Sequence, residues 1–271
     1  KEAEITSLLV KVVGVSAERE IEILQRVKEK VFDRQKVHSQ EREKTPEEIE
    51  IINSILSHLP KFIARYGGRK VPLRPDHFHV FEYKDLTDEQ KQNPRIGEDA
   101  DVKGRYISEM ELAVVITNKK EENNLRFAQI VGHESLHFSA FQSAEVADSR
   151  GKTLDEILSE YNRMEGFLVK TGKSGDAEFY FDGINEAVTE ELLLRFDSEF
   201  FGAIGQLSGD LEARQRTRDK YAQKHPDASS EKVERRIANI TTVKLESGPN
   251  AGMWRARIEP YRYQEERKRL N

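Results

Sequence analysis

The sequence contains no cysteine among its 271 residues, and it has only one tryptophan and three methionines. Without cysteine, the chain has neither a disulfide framework nor a thiolate ligand for a metal. Any metal that it binds must therefore be held by imidazole and carboxylate side chains. The lack of cysteine leaves the compartment open, because secreted and cytosolic proteins both tolerate it.

Long apolar runs are also missing. The run Leu8–Val15 is far shorter than the roughly 20 consecutive apolar residues of a membrane-spanning helix, so we expect no membrane span. We expect a cytoplasmic location. A secreted location stays open, because the chain begins at Lys1 rather than at methionine and a signal segment could have preceded it.

Neither sign of charge is in large excess. The chain carries 49 acidic and 44 basic side chains, which gives a net charge of −5. Such a near balance lacks the excess of positive charge that is typical of nucleic-acid-binding proteins, so we expect no nucleic-acid partner. Acids flank the basic cluster Arg214–Arg218 and interrupt the cluster Arg262–Arg269, which is typical of solvated helix faces. A hydrophobic fraction of 37% is enough for a globular core.

Patterns along the chain predict an α+β fold in three segments. Residues 1–69 are predicted to form a helical N-terminal segment, because apolar residues recur there at helical spacing. Residues 70–205 are predicted to form the central domain, with strands at 78–83 and 111–117 that are rich in β-branched and aromatic residues. Residues 206–271 are predicted to be a mostly helical C-terminal segment.

Four further elements are predicted in the central domain. They are a helix over about 122–146, a shorter helix around 154–164, a β-hairpin over 167–181 and a helix over Ile184–Phe201. Gly183 is expected to permit the turn from the hairpin into the last helix.

The helix near residue 130 contains the motif H-E-x-x-H, formed by His133, Glu134 and His137. At 3.6 residues per turn, the two histidines lie about one turn apart on one face, where both imidazoles can bind one zinc ion. Glu134 projects about 100° around the helix axis from His133, which suits a group beside the metal. It could serve as a general base that takes a proton from water and passes it to a leaving amine.

A catalytic zinc site needs a third protein ligand and one open position. The later helix carries the run Gly183–Glu190, with the sequence G-I-N-E-A-V-T-E. Together the two motifs resemble those of the thermolysin-like metallopeptidases, the gluzincins, in which an acid follows four residues after an Asn-Glu pair. The resemblance implies that Glu186 is the third zinc ligand and that Glu190 hydrogen-bonds His133 as its outer partner. Such outer partners orient a ligand and set its tautomer.

The same run is similar to that of predicted bacterial and archaeal metallopeptidases whose substrates are poorly described. The resemblance implies a zincin-like catalytic domain over residues 70–205, in which a small mixed sheet carries the H-E-x-x-H helix and a second helix brings the glutamate. Helical segments would flank it on both sides. It also implies that Asn185 orients His137. Glu190 stands where thermolysin itself has aspartate, which is a small departure.

Peptide hydrolysis also benefits from a hydrogen-bond donor aimed at the developing oxyanion. Tyr180, shortly before Glu186, is the first candidate. The alternatives are Tyr106, Tyr161, His225 and Tyr261.

Three other features leave alternatives open. The strand Glu111–Thr117 is either the sheet edge that pairs with an extended substrate, as in gluzincins, or an ordinary core strand. His77 and His79 lie on one face of a strand without a third ligand, which favours a role in packing or between elements. Glu109 and Glu111 could anchor the amino terminus of a substrate, but the Gly-x-Met pattern of the related aminopeptidases is missing, so an endopeptidase is favoured.

The expected function is zinc-dependent hydrolysis of peptide bonds by a metalloendopeptidase, with Zn²⁺ as cofactor and a peptide or protein as substrate. One alternative is a non-catalytic zinc-binding interaction module derived from a peptidase fold. The other is a helical scaffold in which the motif is accidental. The oligomeric state stays open.

Overall fold

A computed structural model shows a chain of mixed helical and strand content in which helices dominate. It describes residues 2–5, 8–13, 16–32, 41–68, 73–82, 104–107, 112–117, 123–140, 142–147, 161–165, 168–171, 178–237, 239–244 and 254–259. The prediction that the chain combines helices and strands is confirmed at this level. In these ranges, no helix is both long and apolar enough to cross a lipid bilayer.

The described ranges contain six α-helices and eleven β-strands. The helices are α1 (Ala17–Phe32), α2 (Pro46–Ala64), α3 (Asn124–Ser139), α4 (Asp182–Phe200), α5 (Ser208–Lys224) and α6 (Ser230–Arg236). The strands are β1 (Glu2–Ile5), β2 (Leu8–Val13), β3 (Phe78–Glu82), β4 (Gly104–Ile107), β5 (Leu112–Thr117), β6 (Gln142–Ala147), β7 (Tyr161–Glu165), β8 (Leu168–Thr171), β9 (Glu178–Tyr180), β10 (Asn239–Lys244) and β11 (Trp254–Glu259).

These strands form three sheets. The largest has the order β1-β2-β6-β7-β8-β9, and β2 runs parallel to β6 within it. The second has the order β3-β5-β4, in which β5 is parallel to β3 and antiparallel to β4. Strands β10 and β11 form an antiparallel pair. Because β5 has a partner on each side, the edge role considered for this strand is wrong and the core-strand alternative is correct.

Helix α2 begins with a capping box at Thr45. The Thr45 side chain accepts a hydrogen bond from the backbone N–H of Glu48, and the Glu48 carboxylate accepts one from the backbone N–H of Thr45. This reciprocal cap satisfies two backbone donors that would otherwise lack a helical partner. Pro46 occupies the first turn, where its missing N–H has no cost.

The main core lies between α2, α3 and α4. Phe196 of α4 packs edge-on against Phe62 of α2, with ring centroids 5.2 Å apart, and against Phe201, with centroids 5.9 Å apart. Val131 of α3 and Phe78 of β3 are fully buried in the same cluster. Each such side chain contributes about 1.5–3 kcal/mol when it is fully buried, so apolar packing is a major part of what holds these helices together.

A close approach joins the middles of α3 and α4. A Cβ atom placed on Gly132 of α3 would lie 2.9 Å from Leu193 Cδ1 of α4 and 3.8 Å from Phe201 Cζ. A side chain at this position would require the end of the Leu193 side chain to shift. The two helices therefore pack more closely at Gly132 than a larger residue would permit.

A buried polar contact joins α3, α4 and α5. The carboxylate of Asp197 accepts hydrogen bonds from Arg214 Nη1 and Nη2 at 2.6 and 2.7 Å, and from Gln129 Nε2 at 3.2 Å. The side chain of Asp210 in α5 also accepts a bond of 3.1 Å from the backbone N–H of Leu125, in the first turn of α3. Helix α5 thus packs on the same core, although the domain boundary was predicted at residue 205. That boundary stays a prediction.

The extended segment before α2 covers the outer edge of β3. The backbone N–H of Arg42 donates to the carbonyl of Val80 at 3.0 Å, and the Glu41 carboxylate lies 2.7 Å from His79 Nδ1. Burial alone would raise the pKa of Glu41, but the neighbouring His79 and Lys44 outweigh it and lower the pKa to about 2. His79 therefore serves to join elements, as the sequence suggests.

Several secondary-structure predictions are wrong. In the predicted helical N-terminal segment, residues 2–5 and 8–13 form β1 and β2. In the predicted helical C-terminal segment, residues 239–244 and 254–259 form β10 and β11. The β-branched residues of these runs favour strands. The charged residues around them made each segment as a whole look helical. The helix predicted to reach 146 ends at Ser139, where the extended backbone of Ala140 leads into β6.

The short helix predicted around 154–164 is wrong at its end, because Tyr161–Glu165 forms strand β7, and its first part lies outside the described residues. The predicted hairpin is confirmed as β8 and β9, and the helix after it as α4. The polar stretch between the two predicted strands, residues 84–103, also predicts a loop, and it lies outside the described residues.

The contact at Gly132 leads to a prediction about stability. Replacement of Gly132 by valine should lower the free energy of unfolding by about 1–3 kcal/mol, because the added methyl groups overfill the contact with Leu193. The matched control is Gly209→Val, since a Cβ at Gly209 meets nothing within 4 Å. The control should stay within about 0.5 kcal/mol of the original chain. Urea denaturation of both variants would measure this, and equal values would contradict it.

The pKa of Glu41 leads to a prediction about acid stability. The folded pKa of about 2 lies below the ordinary value of 4.5, so the ionised carboxylate stabilises the folded chain above pH 4.5. This stabilisation is lost as the pH falls from 4.5 towards 2. The free energy of unfolding of Glu41→Gln should therefore be lower than that of the original chain at neutral pH, and the difference should shrink through this range. A difference that stays constant down to pH 2 would contradict the assignment.

Candidate metal centre

Helix α3 carries both histidines of the H-E-x-x-H motif. It begins at Asn123, whose side chain accepts a hydrogen bond of 2.9 Å from the backbone N–H of Arg126. The helix is buried over most of its circumference, so even the hydroxyl groups of Ser135 and Ser139 donate to carbonyls of the preceding turn. A helix enclosed in this way holds its histidines in one orientation towards α4.

A left-handed turn places the glutamate helix. Strand β9 ends at Tyr180, and Phe181 then adopts φ 62° and ψ 18° before α4 begins. The carbonyl of Phe181 accepts the first helical hydrogen bond, from the backbone N–H of Asn185, at 2.9 Å. The expectation that Gly183 permits this turn is wrong, because Gly183 lies inside the helix and Phe181 takes the unusual conformation. The turn brings Glu186 to face α3.

Three donor atoms meet between α3 and α4. Nε2 of His133 lies 3.0 Å from Nε2 of His137, and the carboxylate oxygens of Glu186 lie 3.2 Å and 3.1 Å from the two nitrogens. Donors that bind a tetrahedral ion at 2.0–2.2 Å are about 3.3 Å apart. The spacing therefore fits a small divalent cation. Among the described residues, this is the group of three ionisable side chains that could hold a metal.

The electrostatics of the centre favour a positive charge. Burial alone would raise the pKa of Glu186, but His137 and His133 outweigh burial and hold the pKa well below its usual range. Burial alone would lower the pKa of His133, but its hydrogen bond with Glu186 and the charges of Glu134 and Glu190 raise it against burial and His137. The carboxylate thus stays ionised beside the two imidazoles, and this negative charge makes the cluster a suitable place for a cation.

Glu134 and Glu190 lie around the three donors. Glu134 is buried, with 4% of its surface exposed, and its charge acts on the adjacent His133. Glu190 Oε1 lies 3.6 Å from His133 Nδ1, the ring nitrogen that points away from the donor cluster. This is slightly longer than a hydrogen bond, so the contact is electrostatic. The structure thus places Glu190 near His133 without the hydrogen bond that the resemblance implies, and the roles of both glutamates stay predictions.

The other residues singled out in the sequence are placed differently. Asn185 is buried; its backbone N–H donates to Phe181 and its carbonyl accepts from the Thr189 hydroxyl, and its predicted role towards His137 stays a prediction. Tyr180 is 46% exposed at the end of β9, and its role as oxyanion donor also stays a prediction.

The alternatives to Tyr180 gain no support. His225 is exposed after the end of α5 and packs on Tyr221, with ring centroids 4.4 Å apart. Tyr106 and Tyr161 lie on β4 and β7, where the backbone alone is described, and Tyr261 lies outside the described residues.

Residues that support the centre were missed in the sequence. Gly132, Gln129, Asp197 and Arg214 set how α3, α4 and α5 meet, yet none belongs to a known motif. One signal was present, because Asp197 stands directly after Phe196 on the apolar side of a predicted helix. A charged residue in such a position is seldom buried unless it is paired.

Comparison with known proteins found no match to the chain among protein families, curated proteins or solved structures. The resemblance to gluzincins therefore depends on the two motifs and stays a prediction. What supports a metal centre is the geometry of its three donor residues.

Substitution of the three donor residues should remove the metal. Alanine in place of His133, His137 or Glu186 should abolish stoichiometric zinc binding, because each supplies one ligand atom. Glu190→Gln should weaken zinc binding by about 10–100-fold, the usual effect of losing an outer partner. Competition with a chromophoric chelator would measure these affinities. His225→Ala, at an exposed histidine, is the matched control and should bind zinc like the original chain. Unchanged zinc binding by the three alanine variants would contradict the site.

Proposed function

We propose that this protein is a zinc-dependent peptidase with an α+β, zincin-like catalytic domain. The observation that carries the proposal is the meeting of His133, His137 and Glu186 at one point, with the buried Glu134 beside them. A purely structural metal site is closed by four protein ligands, whereas a catalytic site keeps one position open. Three donors and an adjacent carboxylate are the arrangement that hydrolysis requires.

The chemistry divides between the metal and the chain. A bound zinc ion would supply Lewis-acid activation of water and of the scissile carbonyl. His133, His137 and Glu186 would hold it, since nitrogen and carboxylate donors at this spacing suit zinc. The ionised Glu186 lowers the net charge of the centre. Glu190 restrains the ring of His133 from its outer side.

Glu134 is proposed as the proton carrier. It follows His133 on α3, so its carboxylate lies beside the donor cluster rather than within it. Burial at 4% exposure keeps it away from bulk water, which favours transfer of a proton over its loss to solvent. As a general base it would accept a proton from the attacking water. It would then donate that proton to the leaving amine.

The sheet that contains β5 suggests where an extended substrate would pair. β5 is central, and the segment Glu41–Arg42 covers β3 through the bond from Arg42 to Val80. Within the described ranges, β4 is then the strand with an edge open for pairing, and it runs antiparallel to its neighbour. We propose that the peptide adds to β4 (Gly104–Ile107) by main-chain hydrogen bonds.

An endopeptidase is favoured over an aminopeptidase. Glu109 and Glu111, the acids that could anchor a free amino terminus, lie outside the described residues, and the sequence pattern of such an anchor is incomplete. A peptide that pairs along an edge strand can bind with residues on both sides of the scissile bond. The alternative function is a zinc-binding interaction module without activity. Glu134 argues against it, because a purely structural site has no use for a buried carboxylate next to its ligands.

The proton-transfer role leads to the central test. Glu134→Gln should lower kcat on a cleavable fluorogenic peptide by about 10²–10⁴-fold, the usual contribution of a general base. Zinc content should stay unchanged, because Glu134 is not one of the three donors. Hydrolysis of a peptide library, followed by mass spectrometry, would first identify a cleavable sequence.

The control is Glu47→Gln, the same substitution at an exposed position on α2, which should keep full activity. Full activity of Glu134→Gln with normal zinc content would overturn the mechanism. Stoichiometric zinc in the original chain without cleavage of any library peptide would favour the interaction module.

A further inference from the structure

Helices α3 and α4 run in opposite directions and touch through polar groups at two separate places. At one place His133 and His137 meet Glu186. At the other, Gln129 of α3 meets Asp197 of α4. Gln129 precedes His133 by about one helical turn, whereas Asp197 follows Glu186 by three turns, so the order of contacts is reversed between the helices. Two contacts at different heights determine how far one helix can slide along the other.

The second contact is strong because its carboxylate is buried and paired. Asp197 is 4% exposed, Arg214 6% and Gln129 2%. Arg214 donates a hydrogen bond to each carboxylate oxygen of Asp197. Oδ2, which accepts from Nη1, also accepts from Gln129. Breaking a buried ion pair leaves an uncompensated charge, which is strongly unfavourable. Asp197 is therefore fixed in place by α5, and Gln129 ties α3 to that fixed point.

The metal centre needs such a fixed point. Its donor atoms lie 3.0–3.2 Å apart, and a productive site tolerates displacements of only about 0.5 Å. A shift of α4 by a single residue would move Glu186 by about 1.5 Å along the helix axis. Apolar packing, including the contact of Leu193 with Gly132, limits such a shift by shape, but apolar contacts have no direction and side chains can repack. The directional bond between Gln129 and Asp197 resists it strongly.

We propose that Asp197, held by Arg214, is a positioning residue that aligns α4 with α3 through Gln129 and thereby preorganises the three metal donors. This lock, defined as Gln129, Asp197 and Arg214, rests on the metal site of the proposed function. It touches neither metal nor substrate. Its role is to hold the three donor residues, in the metal-free chain, in the arrangement that they have when metal is bound. Little reorganisation then opposes metal binding.

The sharpest test removes the tie without disturbing the ion pair. Gln129→Met conserves side-chain volume and leaves Asp197 paired with Arg214. The matched control is Val233→Ala in α6, which destabilises the small separate cluster of Val233 and Ile237. Zinc affinity is measured by chelator competition at a temperature where both variants are fully folded by circular dichroism. The visible absorption of the cobalt(II)-loaded proteins reports the ligand geometry independently of stability.

Gln129→Met should bind zinc about tenfold more weakly, the effect of losing one hydrogen bond to a charged group, and its cobalt(II) spectrum should change. Val233→Ala should keep the affinity and spectrum of the original chain. Equal affinity and spectrum for all three proteins would overturn the lock. If Gln129→Met does not fold, the double variant Asp197→Leu/Arg214→Met takes its place, because an apolar pair often replaces a buried ion pair without loss of stability. The same weakening is expected from it, and an unchanged zinc affinity would overturn the proposal equally.

Zinc binding by the original chain distinguishes failure of the proposed function from failure of the lock. If the original chain binds no zinc, the proposed function itself fails. If it binds zinc and the variants bind it equally well, only the lock fails. Peptide cleavage is not needed for either decision.

Discussion

An ionised carboxylate can lie between packed helices only where positive partners surround it. Helix α4 carries two such carboxylates, Glu186 and Asp197, and both face inward. The partners of Glu186 come from α3, whereas the charged partner of Asp197 comes from α5. The relative placement of the three helices therefore depends in part on these two polar contacts, of which the one at Asp197 is buried and the one at Glu186 is partly exposed. Apolar side chains fill the space that this pairing defines.

The apolar side chains pack closely in the space between the helices. Gly132 leaves room for Leu193 midway between the two carboxylate contacts. Next to this contact, the ring of Phe196 packs edge-on against rings of α2 and of the turn after α4. The core is thus tight where the helices cross and polar on either side of the crossing. This alternation of close packing and directional bonds gives one well-defined arrangement.

The sequence predicts the components of the centre better than its support. His133 and His137 could be placed on one helix face from spacing alone, and the acid pair of α4 followed from a motif. The lock could not be found in this way, because Gln129, Asp197 and Arg214 are far apart in the chain and their types carry no signature. The same limit applies to β5, whose central place depends on pairing with β3 and β4. Local patterns predict elements, whereas long-range pairing decides their order.

The turn at Phe181 shows a second limit. A glycine nearby suggested where the chain would bend, yet the left-handed conformation falls on an aromatic residue two positions earlier. A bulky residue adopts this conformation only where its surroundings impose it. Here Phe181 follows directly after β9, and its carbonyl accepts the first hydrogen bond of α4. The bend is therefore a product of tertiary structure, which no local rule reveals.

The position of Arg214 in the sequence also has a consequence for folding during synthesis. All three metal donors have been synthesised by residue 186, but the cation that neutralises Asp197 follows 28 residues after the last of them. Until α5 is complete, α4 carries an unpaired charge on the face that must enter the core. The centre should thus assemble late on the ribosome. Any shortened form of the chain that is meant to keep it must extend through α5.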